Sequence, residues 1–143
     1  MKSQAIVAYG APLEEVTSPI PTPTGTEVVV KISHSGVCHS DVHLQDGHVD
    51  IGDGDKIDWS KGRTLPHTLG HEIEGTLSAV GPDAQALLEG RAVGQRFVVF
   101  PWIGCGECAT CKRDQEHICS KPRQIGIQVA GGYSEYVLVP HPK

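Results

Sequence analysis

The sequence predicts a mainly β fold, an open partial barrel with few short helices and one cysteine-rich lobe. Three observations carry that prediction. Seventeen glycines and ten prolines break the 143 residues into short pieces, which argues against a helical bundle. Between the breaks stand Val-rich runs of strand length, six or so in all, several with period-two alternation. Four cysteines then crowd into Gly104 to Cys119, a stretch with neither helical nor strand periodicity.

Taken in order, Gln4 to Tyr9 reads as a first strand, closed by Gly10 and Pro12. Thr17 to Gly25 holds Pro19, Pro21 and Pro23 and reads as an extended connector, since proline lacks the N–H that a helix interior or central strand needs. Glu27 to Ser35 is the clearest strand: Val28, Val30 and Ile32 alternate with Val29, Lys31 and Ser33. Gly36 permits a sharp turn after it, with Ser40 as the expected N-cap of a short helix through Gln45. Asp46 to Thr64, rich in Gly and Asp, reads as a long surface loop. Asp53 and Asp55 sit in it at Asp-x-Asp spacing, but no Glu closes a twelve-residue calcium loop there. Ile73 to Val80 is a strand with Ile73, Gly75, Leu77 and Ala79 on one face. Gly81-Pro82-Asp83 turns, Ala84 to Leu88 gives one helical turn, and Phe97 to Phe100 is a further strand. Gly131-Gly132 leads into the last strand, Tyr133 to Val139.

Cys105, Cys108, Cys111 and Cys119 follow a C-x2-C-x2-C-x7-C spacing. Two residues between thiolates let a tight turn aim both sulfurs at one point, and a short turn brings back the fourth. Zn²⁺ suits such a cage, because it takes four soft thiolates and imposes no geometry of its own. A closed four-thiolate site has no open position for substrate, so a structural zinc lobe is expected over residues 104–121, with the metal replacing a core. Iron–sulfur spacings differ from this one, and paired disulfides need an oxidising compartment.

Composition narrows the classes. Hydrophobic residues make 38% of the chain and charged ones 20%, ordinary for one globular domain. Net charge is −5 with no basic run, so neither nucleic acid nor an anionic membrane is an expected partner. Met1 to Pro12 shows no apolar export segment, and the longest apolar runs are too short to span a bilayer. The expected location is cytoplasmic.

The fifth cysteine, Cys38, and His71 both fall at strand–turn junctions, where a thiolate and an imidazole could share a second zinc. Two ligands do not define a site, since a catalytic zinc usually has three protein ligands and a water. A buried thiol with an unrelated hydrogen-bonded histidine is the plain alternative. The neighbourhood adds more. Gly36-Val37-Cys38-His39-Ser40-Asp41-Val42-His43, then Gly70-His71-Glu72, then Pro101-Trp102 and the four-cysteine lobe, then Glu135-Tyr136-Val137, stand in that order. This arrangement resembles the zinc-dependent medium-chain alcohol dehydrogenases, over essentially the whole chain, and matches their N-terminal catalytic domain, whose fold is similar to the co-chaperonin (GroES-like) β-barrel.

The resemblance implies roles position by position. Cys38 and His71 match two ligands of the catalytic zinc, and Glu72 the carboxylate beside it, close enough to exchange as a ligand. Asp41 matches the carboxylate that orients the ligand histidine, Ser40 the hydroxyl that receives the alcohol proton, and His43 the end of the proton relay near the cofactor ribose. His39 matches a contact to the cofactor pyrophosphate, and Trp102 a wall of the substrate pocket. Cys105, Cys108, Cys111 and Cys119 match the structural zinc ligands. The implied reaction is oxidation of a small alcohol, or reduction of its carbonyl, with hydride transfer to or from NAD or NADP.

The family's dinucleotide-binding (Rossmann) domain and the usual third catalytic cysteine have no counterpart here: no G-x-G-x-x-G occurs, and the remaining cysteines belong to the lobe. The expectation is therefore a single catalytic domain over residues 1–143, with an incomplete catalytic zinc site and no turnover by itself. A zinc-stabilised structural or interaction module on the same barrel is the alternative. His34, His48, His67, His117 and His141 are expected to be surface or hydrogen-bonded residues.

Overall fold

A four-stranded antiparallel sheet, ordered β8-β7-β3-β9, forms the wall from which both cysteine sites hang in the computed structural model, which describes residues 1–142. The strands in chain order are β1 (Lys2–Ile6), β2 (Glu14–Thr17), β3 (Val28–Gly36), β4 (His48–Gly52), β5 (Asp55–Asp58), β6 (His67–Thr68), β7 (Glu72–Val80), β8 (Arg96–Val99) and β9 (Tyr136–Val139), with one α-helix, α1 (His39–Asp46). Three single 3-10 turns lie at Gln85–Leu87, Cys111–Arg113 and Glu116–Ile118. A second sheet, β2-β1-β6, leans on the first through the Ser3–Ser134 bridge, and β4 and β5 form a separate hairpin. The result is the partial β-barrel that the turn-broken sequence predicts.

The strands form where β-branched residues find an apolar face. On β7 the burial alternates as expected, with Ile73, Gly75 and Leu77 inside. On β3 it does not: Val28, Val29 and Val30 are all buried. Register shifts between Val29 and Val30 and between Ile32 and His34 re-aim the side chains, as a β-bulge does, so strict alternation fails there. The main core joins Val28, Val30, Ile73, Leu77, Val99, Ile103, Ile125, Val137 and Val139. A smaller one joins Ile6, Leu44 and Leu69, with Tyr9 and Tyr133 against it, and seats α1 on the sheet.

Several boundaries differ from expectation, each for a physical reason. The first strand is Lys2–Ile6, because its pairing with β2 runs from Lys2↔Thr17 to Ala5↔Glu14 and ends before Tyr9. The last is Tyr136–Val139, since Tyr133 to Glu135 bond across to Leu69 and Lys2. Residues 48–58, read as loop from their Gly and Asp content, fold as the β4–β5 hairpin around Asp53-Gly54, both at positive φ. The helix N-cap is Cys38, not Ser40: Cys38 is extended (φ −98°, ψ 154°) and its amide donates to Asp41 Oδ2 at 3.0 Å, the returning half of a capping box.

Candidate metal centre and active site

The register of β3 against β7 builds the first site. Gly36 at the end of β3 pairs with Glu72 at the start of β7. The chain just past Gly36 therefore meets the chain just before Glu72, which sets Cys38 against His71. The Cys38 thiol, the His71 ring and the Glu72 carboxylate present ligand atoms all within 4.8 Å of one another. The Glu72 side chain reaches the group by lying over Gly36, where any Cβ would meet it. One sulfur, one imidazole nitrogen and one carboxylate are a donor set that suits zinc and leaves a position open for substrate. Where the sequence offered two ligands and a neighbouring carboxylate, the fold brings three donors together.

Asp41 organises the surroundings. It is 3% exposed, one turn into α1. Its Oδ2 accepts from the Cys38 amide and the Tyr133 hydroxyl, each at 3.0 Å, and its Oδ1 accepts from the Gly70 amide at 3.1 Å. Oδ1 also stands 3.4 Å from His71 Nδ1. Ser40 Oγ lies 3.4 Å from His71 Nε2. The Ser40 hydroxyl first, then the Ser40 amide and His71, hold the Cys38 thiol below its ordinary pKa, which favours the thiolate that a metal requires. Burial first, and the Asp41 charge second, push the Tyr133 phenol upward, so it remains a donor to the carboxylate.

A groove of about 600 Å³ opens on this cluster, lined by His71, Glu72, Phe100, Pro101 and Trp102 among others. Trp102, expected from the resemblance to form a substrate-pocket wall, lines this groove, and Phe100 beside it was not anticipated. His39 and His43 lie outside the three-donor cluster, on α1, with ring centroids 4.5 Å apart. Trp59, at the end of the β4–β5 hairpin, meets His43 edge-on at 6.3 Å. Trp59 follows Ile57 at period two, a strand signal that the acidic composition masked. Tyr133 carried no local signal, because it reaches Asp41 from 92 residues away.

The second site is the lobe. Cys105, Cys108, Cys111 and Cys119 present their sulfurs within 4.8 Å of one another. Three of the separations, Cys105–Cys111, Cys108–Cys111 and Cys108–Cys119, are 3.8, 3.5 and 3.8 Å. A zinc tetrahedron with sulfur at about 2.3 Å has edges of about 3.8 Å, whereas a disulfide brings sulfurs to about 2.05 Å. None of the five cysteines is in a disulfide. The amides of Cys105 and Lys121 point at the Cys119 sulfur, at 3.4 and 3.3 Å, and the Cys111 amide points at Cys108 at 3.5 Å. That last amide pulls the Cys108 thiol down to about 6, while burial pushes Cys111 up. Arg123 ties the lobe to the barrel by donating to the Gly104 carbonyl at 2.9 Å. His141 and Glu116 pair beneath it at 3.1 Å.

The family model described as the alcohol dehydrogenase GroES-like domain matches residues 24–143. The chain belongs to that family. It is 43% identical over its whole length to an NAD-dependent alcohol dehydrogenase of Sulfurisphaera tokodaii, of which it covers 39%. It is 34% identical over 93% of its length to an L-threonine 3-dehydrogenase of Pyrococcus abyssi, covering 34% of that protein. Among solved structures, a crystal structure of an NAD-dependent alcohol dehydrogenase superposes with a TM-score of 0.80 at 31% identity, over 98% of this chain and 37% of the other. The D-arabinose dehydrogenase from Sulfolobus solfataricus gives 0.75 at 32% identity, over 99% and 39%. The chain thus spans between a third and two fifths of the length of these relatives.

Proposed function

We propose that this chain is the metal- and substrate-binding domain of a zinc-dependent alcohol dehydrogenase, which interconverts an alcohol and its aldehyde or ketone together with a domain that binds NAD or NADP. The observation that carries the reading is the convergence of Cys38, His71 and Glu72 on one point, where His71 and Glu72 also line a groove shared with Phe100 and Trp102. Zinc held by these three residues would supply Lewis acidity toward a hydroxyl or carbonyl oxygen.

The remaining groups have work to do around that point. Asp41 faces His71 Nδ1 and so favours the tautomer with Nε2 free to ligate. Ser40, beside Nε2, takes the proton of the alcohol. His43, three residues on along α1 and therefore on the same face, passes it toward solvent. His39 and His43 meet the cofactor. Phe100 and Trp102 hold the carbon skeleton of the substrate and exclude water. Cys105, Cys108, Cys111 and Cys119 hold a second, structural zinc. These 143 residues contain no Gly-rich phosphate cradle, so alone they are expected to give no turnover.

The test is alcohol-dependent reduction of NAD⁺ or NADP⁺ by the chain joined to its cofactor domain. Cys38→Ser is expected to abolish turnover while the lobe keeps its zinc, and Ser40→Ala to slow it by about 10²-fold or more. Absence of turnover in the unaltered joined chain would leave only a zinc-stabilised module, and full activity in Cys38→Ser would remove Cys38 from the catalytic site.

A further inference from the structure

Tyr133 follows the Gly131-Gly132 turn, far in sequence from either half of the three-donor cluster. Its main chain is fixed without help from its hydroxyl. The Tyr133 amide donates to Leu69 O at 2.9 Å, the Gly132 amide to Gly70 O at 2.8 Å, and Tyr133 O accepts from the Gln4 amide at 2.7 Å. Its ring fills the space over Gly70, which holds φ at +93°; a Cβ there would come within 2.6 Å of the ring and 2.9 Å of Ser35 Oγ. Glycine is therefore required immediately before His71, and the tyrosine ring is packed against the segment that presents that histidine.

The phenol then reaches the Asp41 carboxylate at Oδ2, the oxygen that also takes the Cys38 amide, while Oδ1 takes the Gly70 amide and faces His71 Nδ1. Nδ1 is buried and has no aligned hydrogen bond, so Oδ1 at 3.4 Å is the acceptor placed to orient it. A carboxylate can turn about its terminal bond, and the orientation of Oδ1 toward the imidazole holds only while Oδ2 is held on the far side. Two donors hold it there, one from the helix cap and one from Tyr133. We propose that Tyr133 is a positioning residue for the Cys38–His71–Glu72 centre: its hydroxyl fixes Asp41, which in turn holds His71 with Nε2 turned to the metal position. The inference rests on the reading that this cluster holds a metal, and it adds a residue from the last third of the chain to the site.

Tyr133→Phe keeps the ring over Gly70 and every main-chain bond, and removes only the hydroxyl. The chain with zinc in its four-cysteine lobe is titrated with Co²⁺, whose visible absorption reports ligand geometry at the three-donor cluster. The unaltered chain is expected to take up one Co²⁺. Tyr133→Phe is expected to bind it about tenfold more weakly, with a changed absorption band and the lobe zinc retained. Tyr136→Phe, which removes a phenol from β9 instead, is expected to match the unaltered chain. Equal affinity and spectrum in Tyr133→Phe would overturn the role of Tyr133 while leaving the metal reading intact. Failure of the unaltered chain to take up Co²⁺ would overturn both. Loss of lobe zinc in Tyr133→Phe, or an equal weakening in Tyr136→Phe, would make the effect general loosening and overturn the positioning role.

Discussion

Asp41 is the residue on which the site closes, because it collects donors from three separate parts of the chain: Cys38, Gly70 and Tyr133. An unpaired buried donor costs about 1–3 kcal/mol. Asp41→Ala orphans three at once and is expected to lower unfolding stability by about 3–5 kcal/mol, read from urea midpoints at constant slope; a loss below about 1 kcal/mol would mean that water replaces the carboxylate. A second prediction concerns His67, 7% exposed and donating from Nε2 to the Gly126 carbonyl at 3.3 Å. Burial, ahead of the opposing hydrogen bond, pushes its pKa below 6.5. Between 6.5 and that lowered value the unfolded chain binds the proton and the folded chain does not. Stability from this residue is therefore complete above about pH 6.5 and is lost as pH falls through the lowered value. His67→Gln keeps a donor for Gly126 and cannot titrate. Its stability is expected to fall less than that of the unaltered chain between pH 7 and 5; parallel pH profiles would refute the assignment.

At the scale of elements, the contact between β3 and β7 matters most, since its register sets Cys38 beside His71. Gly75 lies at its middle, paired with Ile32. A Cβ at Gly75 would fall onto the Lys31 carbonyl oxygen and come within 2.7 Å of Val30 Cγ1. The obstacle is largely backbone, which cannot swing aside, so Gly75→Ala is expected to part the two strands and cost about 1–3 kcal/mol or more. Faster amide exchange along both β3 and β7 is the measurement that checks it. Elements with local signals were legible. Alternation exposed β7, and the Gly36 break announced the turn that carries Cys38. Elements that depend on a partner were not. The β4–β5 hairpin is almost wholly exposed, so selection for burial left little alternation to read, and its Gly and Asp content spoke for a loop. The two-residue β6 exists only through its pairing with β1, which no window of sequence reveals. Cys38 caps α1 because Asp41 reaches back to its amide, while Ser40, the better cap by residue type, lies inside the helix with its hydroxyl beside His71.

Across the whole molecule, the same distinction separates the two metal-capable sites. The lobe was legible from spacing because all four sulfurs come from one short stretch and need nothing else to meet. The Cys38–His71–Glu72 centre needs the pairing of β3 with β7, so the sequence offered Cys38 and His71 only as a two-ligand pair from their strand–turn positions, and Glu72 through resemblance. This difference bears on what holds each region together. The main core of Val, Ile and Leu supports the barrel, whereas within residues 104–121 the buried side chains are those of Cys111 and Cys119. Burial of two thiols cannot offset the ordering of some eighteen residues at about 1–2 kcal/mol each; on the proposal that the four sulfurs hold a zinc, metal–sulfur bonding supplies what a core would. Removal of metal by a strong chelator is therefore expected to act unevenly. Amide protection from Cys105 to Cys119 should fall to that of an open chain. The central β3 and β7 amides should keep theirs, with only the Arg123 tether to Gly104 loosened where the two regions meet. Hydrogen exchange with and without chelator distinguishes this from its opposite. A lobe that stays protected after the metal is gone would mean the short turns and Arg123 hold it by themselves, and cooperative loss of both regions would mean the barrel depends on the lobe as well.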